Sequence, residues 1–121
     1  KYFNSKSNLI SYSCGTLNKS NRLSPINAII AAQKEGIDLN NHKSIYLNDL
    51  NISKKECVFL VMNAKQYITL KQKFKCKNVY FLGILNPKGE MIIKDPYYDP
   101  HNIKVYDTIY SQIKSNIDFL I

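Results

Sequence analysis

Cysteine, histidine and long apolar runs are all scarce in this chain. Its three cysteines, Cys14, Cys57 and Cys76, are an odd number without paired spacing, so they fit free thiols in a reducing, cytoplasmic compartment better than a disulfide framework. No cluster has the spacing of a zinc site, and we expect neither a metal nor a cofactor. The longest apolar run, residues 57–62, is far shorter than the about 18 residues that a membrane-spanning helix needs, so we expect no membrane partner.

Acidic residues are also few, because nine acids face seventeen basic residues and leave a net charge of +8. Such a balance favours anionic partners, including nucleic acids, anionic lipids and phosphorylated proteins. The lysines are spread along the sequence, however, and simple solvation of the surface explains such a distribution equally. No helix-turn-helix, zinc or aromatic-basic RNA signature is present, so a nucleic-acid binder is the less favoured interpretation.

The length of 121 residues predicts one domain, residues 1–121, large enough to bury a core without disulfides or metals. Apolar runs and helical periodicity alternate along it, which predicts an α/β fold with three layers, a central parallel sheet carrying helices on both faces. The expected strands cover residues 9–13, 57–62 and 79–82. The expected helices run from an N-cap at Ser24 to a stop at Gly36, over 64–74, and over 103–120.

Four segments resemble, in order, the motifs of one protein family. The small-residue sequence at 11–16 comes first, followed by a Gly-Ile-Asp-Leu turn at 36–39 with His42 after it, and then by a strand that ends at Met62. The Asp-Pro-Tyr-Tyr loop at 95–98, just before an amphipathic terminal helix, is the most specific of the four. Together they resemble the low-molecular-weight protein tyrosine phosphatases over nearly all of the chain.

The resemblance implies hydrolysis of phosphotyrosine monoesters through a cysteinyl-phosphate intermediate. Asp95 matches the general acid that protonates the leaving oxygen. Pro96, the next residue, restricts the backbone of Asp95, so the carboxyl group can be held in one direction. Tyr97 and Tyr98 match the aromatic wall that binds the substrate ring. On local sequence alone, Asp95 is equally an ordinary turn aspartate, and the two tyrosines are equally residues that pack within a loop.

Two further residues match positions that support the phosphate loop of the family. Ser13 and His42 correspond to side chains that hydrogen-bond behind that loop and hold its shape. As isolated residues, both also fit ordinary polar groups of the surface. The partners implied are a phosphotyrosine protein or a phosphate-like anion.

The family's Cys-x5-Arg phosphate loop is not found in this sequence. Reading on from Cys14, the next arginine is Arg22, which gives Cys-x7-Arg, two residues too many for a loop that wraps one phosphate. We therefore expect a strand, the phosphate loop and most of a helix to precede Lys1, and the domain to be incomplete at its N-terminus. Such a domain exposes an apolar sheet surface through which copies of the chain can self-associate, and it is expected to be inactive by itself.

Other functions remain open beside a phosphatase. The same fold without catalysis gives an inactive phosphatase-like binding or regulatory protein. The arsenate reductases that share this fold need a nucleophilic cysteine and a nearby resolving pair, and the spacing of Cys57 and Cys76 does not offer one. A nucleic-acid binder, indicated by charge alone, would show a DNA affinity that falls with salt.

Overall fold

Two short parallel strands and four α-helices make up the computed structural model, which describes residues 1–121. The elements in chain order are α1 (Tyr2–Lys6), α2 (Ile26–Gln33), β1 (Val58–Val61), α3 (Ala64–Gln72), β2 (Asn78–Phe81) and α4 (Ile103–Asp118). Single turns of 3-10 helix lie at Leu47–Asp49 and Pro96–Tyr98. The chain is thus a small mixed α/β domain, and none of its helices has both the length and the apolar character needed to cross a membrane.

The β1–α3–β2 unit forms the centre of the fold. β1 pairs in parallel with β2, with Val58 opposite Asn78 and Val61 opposite Phe81. The side chain of Asn63 accepts a hydrogen bond from the Gln66 amide at 2.9 Å, which caps the first turn of α3 as the sequence predicts. The predicted strands at 57–62 and 79–82 and the helix that begins after Asn63 are confirmed, apart from one or two residues at their ends.

One face of the sheet carries the main hydrophobic core. Side chains alternate along β1, so that Phe59 and Val61 point into this core together with Val79 of β2. α3 covers them with Leu70, and Leu47 from the first 3-10 turn closes the core from the side. This arrangement buries alternate residues of the apolar run that the sequence displays at residues 57–62.

A second hydrophobic cluster connects the carboxyl end of the sheet to α4. Leu82 and Ile93 pack against Ile109 of that helix, with partly buried side chains around them. On its other side α4 packs against α2, whose buried residues Ala31 and Ala32 are small enough to let the two helices approach closely. α2 is shorter than predicted: its N-cap is Pro25 and not Ser24, and it ends at Gln33. The turn that follows reaches Gly36, which adopts φ +74°, a left-handed conformation that favours glycine.

The other face of the sheet is largely bare, and this departs from the predicted layering. Val58 is 63% exposed, and Leu60 and Tyr80 beside it are also exposed. The predicted strand at residues 9–13 is wrong, because this stretch pairs with no other strand. Its neighbour Gly15 makes only an isolated bridge with Tyr46, and a short extended segment without a ladder on either edge does not form a strand.

A buried pair of asparagines fixes the turn that follows β2. The Asn86 amide donates 2.8 Å to Oδ1 of Asn116 on α4 and also reaches Ser115 Oγ at 3.1 Å. A side chain at Gly89 would collide with both asparagine amides, and one at Gly83 would come within 2.6 Å of the Glu90 carbonyl oxygen. The close approach of turn and helix therefore requires glycine at both positions.

We predict that Asn86→Ala lowers the free energy of unfolding by about 1–3 kcal/mol, because Oδ1 of buried Asn116 then has no donor. Urea denaturation measures the change. The matched control is Asn51→Ala, which removes an exposed amide and is expected to leave stability nearly unchanged. Equal losses in the two variants would contradict a structural role for the asparagine pair.

Self-association through the bare sheet face stays a prediction. We expect Leu60→Glu to reduce any concentration-dependent increase in mass, since it places a charge on the exposed apolar surface. Ile68→Glu is the control, because Ile68 is also exposed but lies on α3. Sedimentation equilibrium over a wide concentration range measures the effect, and equal behaviour of both variants and the parent would contradict the prediction.

Candidate functional site

The carboxyl end of β1 positions the loop that carries Asp95. The Ile93 amide donates to the Met62 carbonyl oxygen at 2.8 Å, which attaches the segment 91–94 to the residue that follows β1. Burial of Ile93 against Ile109 of α4 fixes the same segment by a second, hydrophobic contact. Asp95 therefore lies just beyond the carboxyl end of a parallel strand, the place where sites of open α/β sheets are usually found.

Only one of the two oxygens of the Asp95 carboxylate accepts a hydrogen bond from the protein. Its backbone is extended at φ −70° and ψ 121°, as expected for a residue before proline, and Pro96 opens the 3-10 turn. Oδ1 accepts a hydrogen bond from the Tyr97 amide at 2.9 Å, whereas Oδ2 has no donor from the protein and the residue is exposed. One oxygen thus caps the turn, as an ordinary turn aspartate does, and the other is available for proton transfer.

Two tyrosines stand in the turn that Asp95 caps. Tyr97 and Tyr98 are 67% and 66% exposed, and neither ring stacks on another aromatic ring of the chain. Their place beside the free carboxylate oxygen is compatible with contact to an aromatic substrate. Their role in substrate binding stays a prediction.

Tyr106 is a polar group near Asp95 that is not among the site residues predicted from the sequence. It is 4% exposed, and its hydroxyl is buried without a hydrogen-bond partner. Burial raises the pKa of Tyr106, and the negative charges of Asp95 and Tyr97 raise it further, so this hydroxyl stays protonated. The only feature of the sequence that could have indicated this hydroxyl is a tyrosine at an inward position of α4, where a phenylalanine would pack equally well.

Ser13 and His42 are not joined to the Asp95 loop by hydrogen bonds. The segment of Ser13 is attached to residues 45–47, where Gly15 exchanges backbone hydrogen bonds of 2.8 and 2.9 Å with Ile45 and Leu47. The side chain of Ser13 is exposed, and no hydrogen bond connects it or His42 to the Asp95 loop. The structure therefore does not join these two residues to the candidate general acid, and their supporting role stays a prediction.

The cysteines offer no activated nucleophile near Asp95. Loss of solvation raises the pKa of the Cys14 thiol, although the residue as a whole is exposed, and a neighbouring Cys76 raises it further. Burial likewise raises the pKa of Cys76, against the weaker opposite effect of Lys54 and Lys71. A nucleophilic thiolate needs a lowered pKa, so neither group is prepared for attack on phosphorus.

A polar cavity lies away from Asp95. It has a volume of about 520 Å³ and sits between the turn after β2 and α4, with only polar and charged residues around it, among them Lys88, Glu90 and Asp107. No group of three or more His, Cys, Asp or Glu side chains is arranged to hold a metal ion. Asp95 does not line this cavity, and its own side chain is exposed.

Comparison with known proteins assigns no family to these residues. A scan of protein-family models and a search of the curated proteins both gave no match to the chain. The resemblance to low-molecular-weight phosphatases consequently depends on the motifs alone, and a role for Asp95 has to be argued from its geometry.

We predict that His42 makes stability depend on pH. Burial lowers its pKa, and the positive charge of Lys1 lowers it further. As the pH falls, the histidine of the unfolded chain, with a pKa of about 6.5, is protonated before His42 of the folded chain. The contribution of His42 to the free energy of unfolding is therefore fully present above about pH 6.5 and decreases below it.

Urea denaturation between about pH 5 and pH 8 measures this dependence. The variant His42→Gln, which has no titrating group at this position, is expected to lose the part of the decrease that begins near about pH 6.5. An unchanged decrease in the variant would assign the pH dependence to other groups.

Proposed function

We propose that this domain hydrolyses phosphotyrosine monoesters, with Asp95 as the general acid and with a cysteine nucleophile supplied by a segment outside these 121 residues. The single observation that carries the proposal is the Asp95 carboxylate, which has one oxygen fixed by the Tyr97 amide at 2.9 Å and the other free. It lies at the carboxyl end of a parallel strand and beside two exposed tyrosines. Positioning of this kind is what a proton donor to a phenolic oxygen requires.

The proposed chemistry has two steps. A cysteine thiolate attacks phosphorus, the bond from phosphorus to the phenolic oxygen breaks, and Oδ2 of protonated Asp95 gives its proton to the departing oxygen. The Asp95 carboxylate then removes a proton from a water molecule that attacks the cysteinyl-phosphate. Inorganic phosphate leaves, and both the thiolate and the protonated acid are restored.

The free edge of β1 supports the placement of the nucleophile segment. β1 pairs with β2 along one edge only, and Val58 and Leu60 stay exposed on the adjoining face. Parallel sheets are usually covered on both faces, so an added strand with a following helix fits here. A strand that runs parallel to β1 delivers the loop after it to the same end as Asp95, and it completes the predicted three-layer fold.

A second candidate is a protein that binds a phosphate-like anion without catalysis. Within these 121 residues, the raised pKa values of Cys14 and Cys76 leave both thiols protonated, which suits binding of an anion and not attack on phosphorus. The unpaired thiols suit a reducing compartment, and we place either protein in the cytoplasm. Arsenate reduction and nucleic-acid binding have no comparable support.

The 121-residue chain is expected not to hydrolyse p-nitrophenyl phosphate, because it lacks both an activated thiolate and the donors that orient a phosphate dianion. A continuous assay for p-nitrophenol measures the rate. Turnover that disappears in Cys14→Ser would show that the nucleophile lies at Cys14 and would contradict the proposal.

In a protein that carries the nucleophile segment, Asp95→Asn is expected to lower the rate with poor aryl leaving groups by about 10²- to 10⁴-fold, the usual effect of a positioned proton donor. The loss in kcat/KM, which reports formation of the cysteinyl-phosphate, shrinks for leaving groups that need no proton. Rates against leaving-group pKa give the comparison, with Asp99→Asn as the control, since the Asp99 carboxylate accepts a hydrogen bond from Asn102 in the same loop.

Parallel dependences on leaving-group pKa for the parent and Asp95→Asn would remove the proton-donor role. Asp95 would then be only the residue that caps the 3-10 turn.

A further inference from the structure

Parallel pairing of β1 and β2 brings two lysine-rich loops to one end of the sheet. One loop precedes β1 and the other precedes β2, so both reach the amino edge of the pair. Six lysines lie in these loops and at the end of α3, and they are called the amino-edge lysines below. They are Lys54, Lys55, Lys71, Lys73, Lys75 and Lys77.

Contacts with aromatic rings show that the two loops meet. The ammonium groups of Lys54 and Lys73 lie 5.3 and 5.4 Å from the centre of the Phe74 ring. Lys71 lies 5.9 Å from the centre of the Tyr67 ring and donates to the Lys77 carbonyl oxygen at 2.6 Å. Lysines that are 19 residues apart in sequence thus share one ring and form a single surface.

The core determines which way these lysines point. Phe74 and Cys76 are buried in the main hydrophobic cluster, whereas the alternate residues Lys73, Lys75 and Lys77 are exposed. Because the same segment must bury Phe74 and Cys76, the lysines before, between and after them are held outward. The charge is therefore presented by an ordered surface and not by a flexible tail.

None of the amino-edge lysines is neutralised by an acidic side chain. The two salt bridges of the fold, Lys34 to Asp107 and Lys114 to Asp118, are elsewhere. Residues 53–57 and 71–77 carry six lysines and one acid, Glu56, so these 12 residues hold +5 of the net +8. Favourable interaction with the carboxyl end of α3 accounts for Lys71 and Lys73 but not for the other four.

We propose that the amino-edge lysines dock the protein on an anionic lipid surface. Lipid headgroups need only a layer of positive charge and no groove, and these lysines line neither the cavity beside α4 nor the one formed by residues 29–40. The proposal replaces the expectation of no membrane partner, needs no spanning helix, and is independent of the proposed phosphatase function.

Nucleic acid fits this surface less well. Single-stranded nucleic acids are bound by exposed aromatic rings on which bases stack, yet Phe74 is buried here and Tyr67 is stacked on Phe81 with the ring centres 5.6 Å apart. The surface has no arginine, the residue most often used to read guanine in duplex DNA. Docking by the amino edge also leaves Asp95, beyond the opposite edge, open to the solution.

Co-sedimentation of the 121-residue protein with vesicles tests the proposal. Vesicles of phosphatidylcholine with about 30% phosphatidylserine are compared with pure phosphatidylcholine at about 0.1 M salt, where charges act over about 10 Å. We expect binding to the anionic vesicles only, and its loss at high salt. Each lysine removed lowers the partition coefficient about five-fold, so Lys73→Gln with Lys75→Gln lowers it on the order of 25-fold.

The matched control is Lys65→Gln with Lys104→Gln, which removes the same charge from exposed helical positions elsewhere. Circular dichroism verifies the fold of both variants. Equal losses in both would show that net charge alone attracts the protein, and no binding, or equal binding to neutral vesicles, would overturn the proposal. Tighter binding to a duplex DNA than to vesicles of equal charge would assign the surface to nucleic acid instead.

Discussion

The parallel pairing of β1 with β2 is the constraint on which the rest of the molecule depends. It places the carboxyl ends of both strands at the same edge of the sheet. At that edge the Met62 carbonyl oxygen accepts a hydrogen bond from the Ile93 amide at 2.8 Å, which positions Asp95 two residues later in the chain. The pairing directs both amino ends the other way and gathers six lysines there. The candidate catalytic residue and the lysine-rich surface therefore lie at opposite ends of the two paired strands.

The same two-stranded sheet has an unpaired edge and an uncovered face. One edge of β1 has no strand beside it, and three apolar side chains, Val58, Leu60 and Tyr80, remain in water on the uncovered face. A two-stranded parallel sheet with one bare face is an unusual end state, since such sheets are normally covered on both sides. Additional structure on this face is the common requirement of the phosphatase proposal and of self-association.

Local signals predict the parts of the fold that depend on neighbours in sequence. The continuous apolar run at 57–62 specifies a strand, although only one face of that strand is buried, Asn63 specifies the start of α3, and helical spacing specifies α4. The stretch 9–13 has a strand-forming composition, but a strand also needs a partner, and that depends on what lies beside it in space. The prediction for this stretch fails for that reason.

The candidate site is predictable only in part. Asp95 and its turn can be identified from the Asp-Pro sequence, because proline restricts the residue before it and fixes the turn. The orphaned hydroxyl of Tyr106 near Asp95 follows from the packing of α4 and has no local signature. The amino-edge lysines likewise look dispersed in sequence until β1 and β2 pair, which is why composition alone did not reveal them.

The most direct measurement of the central claim is the burst of p-nitrophenol released by the Asp95→Asn variant of a protein that carries the nucleophile segment. Nitrophenolate leaves with little help from an acid, whereas hydrolysis of the cysteinyl-phosphate still needs the Asp95 carboxylate as a base. Our account predicts a rapid burst approaching one equivalent per protein, followed by slow turnover, with the phosphate on cysteine. Steady release without a burst, at the rate of the parent, would contradict it.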